Sequence, residues 1–307
     1  MTIIPPYLKK GDTIGIVCPA GYMPLDRIQD CITALQNWGY NVRVGKTVGG
    51  VSTTYFSGTD EERLADLQEM MDDNTIHAIL CGRGGYGTGR IIDSIKFKNF
   101  RKHPKWIIGY SDITVLHSHL FSNYRIASLH APMAAAFLDG GSVNEFVLSL
   151  KNVLEGKQVN YQCASHDYNQ KGEATGVLLG GNLALLAHLV GTDSDIKTKG
   201  KILFIEDVGE QLYNIDRMLH QLKRSGKLAK LAGLIIGGFT ESKDTERPFG
   251  AGVNDIIQKI IKEYDYPVCF NFPVSHTERN YALKVGVPYI LKITSDAATL
   301  ECLVNDY

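Results

Sequence analysis

Short runs of β-branched and apolar residues alternate with amphipathic stretches through the first half of this 307-residue chain, and the alternation leaves few folds open to it. DTIGIVCPA (12–20) reads as a buried strand running into a Pro-Ala-Gly turn. PLDRIQDCITALQNWGY follows, with Leu25, Ile28, Ile32, Leu35 and Trp38 at helical spacing and Gly39 just past the end. NVRVGK is the next strand. GTDEERLADLQEMMDDN predicts a helix capped by Thr59, with acids in its first turn and Leu64, Leu67 and Met71 facing inward. IHAILCG, KWIIGYSD and IASLHAPM read as further strands, with GRIIDSI and ITVLHSHLFSNY as the helices between them. Strands alternating with helices form parallel βαβ units with helices on both faces of the sheet. Ligands of such sheets sit at the carboxyl ends of the strands. The loops after residues 81 and 109 are both of that kind, so they are expected to converge on one crevice.

The pattern changes near residues 139–175. EFVLSLKNVLEG closes the first part as a helix, and KQVNYQCASHDYNQKGEATG is polar without a long period. The expected division is an N-terminal domain over 1–160, a linker over 161–175 and a C-terminal domain over 176–307. The second part holds GVLLGGNLALLAHLVG as strand, turn and helix, KILFIEDVGE as a strand with an acidic loop, and QLYNIDRMLHQLKRSGKLAKLA as a helix. GLIIGGFT is a strand, GVNDIIQKIIKEY a helix, and PVCFNFPVSH a strand that ends in a histidine. The tail YALKVGVPYILKITSDAATLECL reads as closing strands. The fold class is α/β: a parallel-sheet N-terminal domain and a smaller, β-rich α/β C-terminal domain.

Charge narrows the function. The formal net charge is −1, with no basic or acidic block, so neither nucleic acid nor an interaction tail is expected. The first residues show no positively charged segment followed by an apolar one, and no apolar run approaches the ~18 residues of a membrane span. The six cysteines (18, 31, 81, 163, 269, 302) contain no C-x-x-C, which points to reduced thiols in the cytoplasm and not to disulfides or zinc.

CGRGGYGTGR (81–90) contains G-x-G-x-x-G at Gly82, Gly84 and Gly87, the dinucleotide fingerprint. That fingerprint belongs in the first βα turn, with an acid ~20 residues on. Here it follows the third strand, and KWIIGY brings no acid before Asp112. Bare backbone N–H groups also serve as an oxyanion hole, since glycines let the chain approach a reacting carbonyl. Arg83 adds a charge suited to a carboxylate, with a structural salt bridge as the alternative.

WIIGYSDIT (106–114) places Ser111 at a strand-to-helix turn, the geometry of a nucleophile elbow, although Ile113 stands where the G-x-S-x-G pattern has its second glycine. The plainer alternative is that Ser111 and Asp112 cap the helix. In FIEDVGE (204–210), Glu206 or Asp207 follows an apolar strand and could orient a histidine; a capping acid is the alternative. His276 ends a strand in FPVSHTERNYALKVG. His117 and His119, two apart on a helix, share no face and make no metal pair. The order serine, acid, histidine is also that of α/β hydrolases.

Together, ILCGRGGYG, IIGYSDITVLH, GVLLGGNLALL, LFIEDVGEQLYNIDRML and FPVSHTERNYALKVG resemble the LD-carboxypeptidase family of serine peptidases, the muramoyl-tetrapeptide carboxypeptidases and their microcin-immunity relatives. The resemblance covers essentially the whole chain. It implies a Ser-Glu-His triad at Ser111, Glu206 and His276, oxyanion donors at the N–H groups of Asp112 and Gly85, and no metal or other cofactor. Arg83, Gly84 and Tyr86 are the candidate substrate contacts. The implied reaction, in the cytoplasm and in a homodimer, removes the terminal D-alanine from murein tetrapeptides during peptidoglycan recycling. The alternative substrates are the peptidyl- or aminoacyl-nucleotides of the microcin-immunity branch. Ala131 stands where many members have glycine and Asn214 where arginine is frequent, and the polar stretch 239–252 is expected beside the site. With Ser111 in one domain and the other two residues in the second, the triad is expected to assemble across an interface, gated by a hinge near 160–175.

Overall fold

In the computed structural model, which describes residues 1–304, the alternation of the first half becomes a sheet of parallel strands. These are β1 (Thr13–Val17), β2 (Asn41–Val44), β3 (Ile76–Cys81), β4 (Trp106–Gly109) and β5 (Ser128–His130), in the spatial order β2-β1-β3-β4-β5. The helices are α1 (Gln29–Asn37), α2 (Asp60–Asp72), the short α3 (Thr88–Ile91), α4 (Thr114–His119) and α5 (Glu145–Leu154). Thr59 caps α2 in a capping box: its hydroxyl accepts from Glu62 N–H at 3.2 Å, and its N–H donates to the Glu62 carboxylate at 2.8 Å.

Alternate strand residues face opposite sides. Ile14, Ile16, Leu80 and Ile108 pack with Cys31, Ala34 and Leu35 of α1. Val17, Ile79, Cys81 and Ile107 pack with Leu67, Met70 and Met71 of α2 and Leu116 of α4. Both faces are covered, as a sheet built of parallel βαβ units requires. Each fully buried large apolar side chain contributes about 1.5–3 kcal/mol.

The second sheet contains β6 (Asn160–Ala164), β7 (Gly172–Asn182), β8 (Lys201–Val208), β9 (Gly233–Thr240) and β10 (Val268–Cys269). The tail supplies β11 (Leu283–Val285), β12 (Pro288–Ile293) and β13 (Ala297–Cys302). Strands β7 to β10 run parallel, while β12, β13 and β6 join antiparallel, giving β10-β9-β8-β7-β12-β13-β6. Helices α6 (Leu183–His188), α7 (Leu212–Arg224) and α8 (Val253–Ile261) complete this half. The tail divides between the two sheets: β12 and β13 stay in the second, while β11 pairs antiparallel with β5, Leu283 opposite His130, as the sixth strand of the first.

Residues 161–164, expected at the start of the linker, belong to the edge strand β6. Its buried Tyr161 and Cys163 alternate with exposed residues, a period too short to stand out among polar neighbours. One apolar cluster runs from Ile14 and Ile16 of β1 to Leu291 and Leu300 of the second sheet. The expected hinge therefore joins two halves that share a packed core. At their contact, a Cβ on Gly181 would fall 2.4 Å from Thr114 Oγ1, so only glycine lets the end of β7 lie on the start of α4. The adjacent Asn182 N–H donates to that hydroxyl at 3.1 Å. No helix among the described residues is long and apolar enough to cross a membrane.

Candidate active site

Strand β4 ends at Gly109, and the chain turns sharply into a 3-10 turn, Ser111–Ile113, that leads into α4. Ser111 makes the turn at φ +62°, a left-handed conformation that costs a residue with a Cβ about 1–2 kcal/mol. Its surroundings hold it there. His117, one turn into α4, donates from Nε2 to the Gly109 carbonyl at 2.8 Å and accepts at Nδ1 from the Ser128 hydroxyl of β5, also 2.8 Å. Burial lowers His117 to a pKa of about 4, against the raising effect of the Gly109 carbonyl, so the ring is neutral and has one donor for the carbonyl and one acceptor for the hydroxyl.

The glycine loop of residues 82–87 lies against Ser111. A Cβ on Gly84 would fall 2.9 Å from Ser111 Cβ and 3.2 Å from its Oγ, so this position has room only for backbone. The Gly84 carbonyl accepts from Gly21 N–H at 3.0 Å. The Asp112 carboxylate accepts from Thr88 N–H at 2.8 Å and ties the loop to the elbow. Burial pushes the Asp112 carboxyl up, while donors from Thr88 and Gly87 and the charge of Arg63 act the other way. Arg63, with no exposed surface, donates to the carbonyls of Pro19 and Gly87 and pairs with Asp60. The Gly85 N–H makes no hydrogen bond among the described residues. The Asp112 N–H occupies the first turn of a helix, where no intrahelical acceptor exists.

From the second sheet, β8 delivers two adjacent acids to opposite sides. Glu206, fully buried, accepts a hydrogen bond on Oε2 from His276 Nδ1–H at 2.6 Å. Asp207 accepts from Asn182 Nδ2 at 2.8 Å and from Ala184 N–H at 3.0 Å, and so fastens the start of α6. Burial pushes Asp207 up to about 6; the Val208 and Asn182 donors pull it down and the Glu206 charge adds to the rise. Of the two acids the sequence left open, Glu206 meets the histidine and Asp207 holds the helix.

His276 lies on the strap between β10 and β11. Burial lowers its pKa, but Glu206 outweighs this, with Asp207 and Glu241 adding to it, and the net shift is upward. Glu241 follows the end of β9. With Nδ1 donating to Glu206, Nε2 carries the lone pair. Nε2 is buried and makes no hydrogen bond among the described residues, to Ser111 or to any other. Tyr110, beside Ser111, meets the His276 ring edge-on at 5.0 Å between centroids. His276 and Tyr110 border a groove of about 680 Å³ that continues past Asp139, Asn144 and Glu278.

Arg83 is exposed, donates to the Tyr22 carbonyl at 2.8 Å, and has no carboxylate within salt-bridge distance among the described residues. Tyr86 is half exposed, 5.9 Å from the ring of Phe56. Asn214 is bonded to Glu210 in a separate groove of about 490 Å³ along α7, and Ala131 is buried. Sequence reasoning did not single out Arg63 or Tyr110, and it gave His117 no role. For Arg63 there was a signal: it lies on the apolar stripe of α2 with Leu67, Met70 and Met71. His117 becomes recognisable only once the fold puts the Gly109 carbonyl beside it.

Comparison with known proteins yields two family models, the LD-carboxypeptidase N-terminal domain over residues 14–131 and the LD-carboxypeptidase C-terminal domain over 175–291. A probable murein peptide carboxypeptidase of Bacillus subtilis is 35% identical over 305 residues, spanning 98% of this chain and 95% of the relative. A murein tetrapeptide carboxypeptidase of Pseudomonas aeruginosa is 30% identical over 294 residues, 91% of this chain and 92% of its own. Among solved structures, a muramoyltetrapeptide carboxypeptidase from Oxalobacter formigenes superposes with a TM-score of 0.86 at 30% identity, covering 96% of this chain and 99% of that one. The microcin C7 self immunity protein MccF, in complex with adenosine monophosphate, shares the fold at a TM-score of 0.87 and 21% identity, covering 99% of this chain and 100% of that one.

Proposed function

The chain belongs to the LD-carboxypeptidase family of serine peptidases, and on that premise we propose that it releases the terminal D-alanine of murein tetrapeptides. The bond cut joins the L-centre of a diamino acid to D-alanine. The observation that supports this most is the Glu206–His276 hydrogen bond of 2.6 Å, with the free Nε2 of His276 beside the Ser111 elbow.

In this reading Ser111 Oγ attacks the scissile carbonyl carbon and its proton passes to His276 Nε2. Glu206 holds the ring in the tautomer that leaves Nε2 open and stabilises the imidazolium that forms. The N–H groups of Asp112 and Gly85 receive the developing oxyanion; one such donor is worth about 10²–10³ in kcat. His276 then returns the proton to the amine of the departing D-alanine, which leaves Ser111 acylated. Water, deprotonated by His276, hydrolyses the ester and restores the hydroxyl. Arg83 recognises the free carboxylate beside the scissile bond, with Gly84 and Tyr86 lining its approach. Cytoplasmic action in peptidoglycan recycling and a homodimeric assembly complete the proposal.

The test is D-alanine release from L-Ala-γ-D-Glu-meso-diaminopimelate-D-Ala, wild type against Ser111→Ala, with chelator present. Release by wild type alone is the expected result; no release by folded wild type would sink the reading. Hydrolysis of an aminoacyl-sulfamoyl adenylate in its place would favour the microcin-immunity substrates, which rest here on likeness of fold.

A further inference from the structure

The arm that leads into α2 carries a polar group that the proposed triad leaves unused. Tyr55 is 54% exposed, yet its backbone is firmly held. Its carbonyl accepts from Tyr22 N–H at 3.0 Å, and the next residue, Phe56, bridges to Gly21. The Phe56 ring is clasped by the guanidinium groups of Arg63 and Arg90, at 4.9 and 5.3 Å. Tyr55 meets that ring edge-on at 5.4 Å.

This anchoring aims the Tyr55 hydroxyl at the glycine loop. A Cβ on Gly85 would fall 2.6 Å from Tyr55 Oη. Arg83 packs on the neighbouring Gly21: its Nε and Cδ would lie 3.4 and 3.6 Å from a Cβ there, and Gly21 Cα is 3.7 Å from the Cβ position of Gly85. A phenolic donor and a guanidinium therefore flank the bare backbone of Gly21 and Gly85, one residue from the glycine that touches Ser111. The hydroxyl makes no hydrogen bond among the described residues. Packing on glycine accounts for the ring of Tyr55, since a phenylalanine would fill the same space, but not for a donor held there.

We infer that Tyr55 is a specificity-determining residue whose hydroxyl donates, alongside Arg83, to the free C-terminal carboxylate of the substrate. The inference rests on the peptidase reading above. A carboxylate accepts from both partners at once, and a bond from a neutral donor to a charged acceptor is stronger than one between neutral groups. Glycine at 85 lets the Tyr55 hydroxyl lie directly against the loop backbone, where any side chain would displace it.

The experiment compares two substrates: the tetrapeptide ending in D-alanine, and the same peptide ending in D-alaninamide, which lacks the anion. Wild type and Tyr55→Phe are assayed on both, with melting curves to confirm that the variant is folded. Loss of one hydrogen bond to a charged group lowers kcat/KM roughly 10- to 100-fold. That loss is expected on the acid, with the amide changed less than about twofold, so the preference for the free carboxylate collapses. An unchanged rate on the acid overturns the inference, as does an equal loss on both peptides, which would mark a structural role. Wild type that hydrolyses acid and amide equally overturns the carboxylate role and leaves the peptidase reading standing. Wild type that hydrolyses neither overturns both.

Discussion

Ser111 tests the elbow directly, because its strain has a measurable sign. At φ +62° a side chain with a Cβ loses about 1–2 kcal/mol, and glycine loses nothing there. Glycine gives up about 0.5–1 kcal/mol more backbone entropy on folding. The balance makes Ser111→Gly more stable than Ser111→Ala by about 0.5–1 kcal/mol. At an ordinary helix or strand position the order is the reverse, by a similar amount. Both variants remove the same hydroxyl, which makes no hydrogen bond among the described residues, so the comparison isolates the backbone. With an unfolding entropy of about 2.1 cal/mol/K per residue, a chain of 307 residues shifts its Tm by roughly 1.5 °C per kcal/mol. Side-by-side calorimetry, with urea midpoints as the second measure, resolves a difference of that size. Ser111→Ala more stable than Ser111→Gly would refute the claim that the elbow stores strain.

Four further outcomes are expected. Glu206→Gln removes the largest of the charges that raise His276 and leaves the burial that lowers it, with Asp207 and Glu241 still acting upward. The acid limb of kcat/KM against pH should move to lower pH than in wild type, and the plateau should fall by about 10³-fold or more. His276 binds its proton more tightly folded than unfolded, so its contribution to stability is fully present below about pH 6.5 and is lost as pH rises through the raised folded value. The buried, neutral His117 acts the other way in both proteins, so the expected result is a difference: on acidification through that window wild type should gain stability relative to Glu206→Gln, and urea midpoints at pH 6 and 8 decide it. Arg63→Met leaves two buried carbonyls and Asp112 without their cation and should cost about 2–3 kcal/mol, read from the same midpoints. Gly84→Ala drives a methyl into Ser111 and should lower kcat/KM about 100-fold while the fold survives; near-normal turnover would detach the glycine loop from the chemistry.

What could be read in advance divides along physical lines. Local periodicity exposed the parallel first sheet, because each strand buried on both faces is a continuous apolar run. The Thr59 cap was legible because capping is decided within four residues. Ser111, Glu206 and His276 each announced only a strand end, and it took the order of motifs along the whole chain to join them. Which of Glu206 and Asp207 faces the histidine depends on strand orientation within the second sheet, information that no local pattern contains. The same holds for Arg63 and Tyr55, whose partners lie more than 20 residues away at Gly87 and Gly85. Strand β6 was lost because its alternation spans only five residues.

The placement of β11 has a consequence for any attempt to divide the molecule. Residues Leu283–Val285 belong to the second half of the chain but complete the first sheet by bonding to Ser128–His130. A fragment of residues 1–160 would expose that side of β5 as a raw edge, with unpaired N–H and C=O groups beside apolar side chains, a template for strand-to-strand aggregation. The two family-matched segments are thus not interchangeable modules. A chimera that joins this N-terminal half to another member's C-terminal half must match a three-residue register inside the borrowed piece, and the strap that carries His276 runs directly into that register.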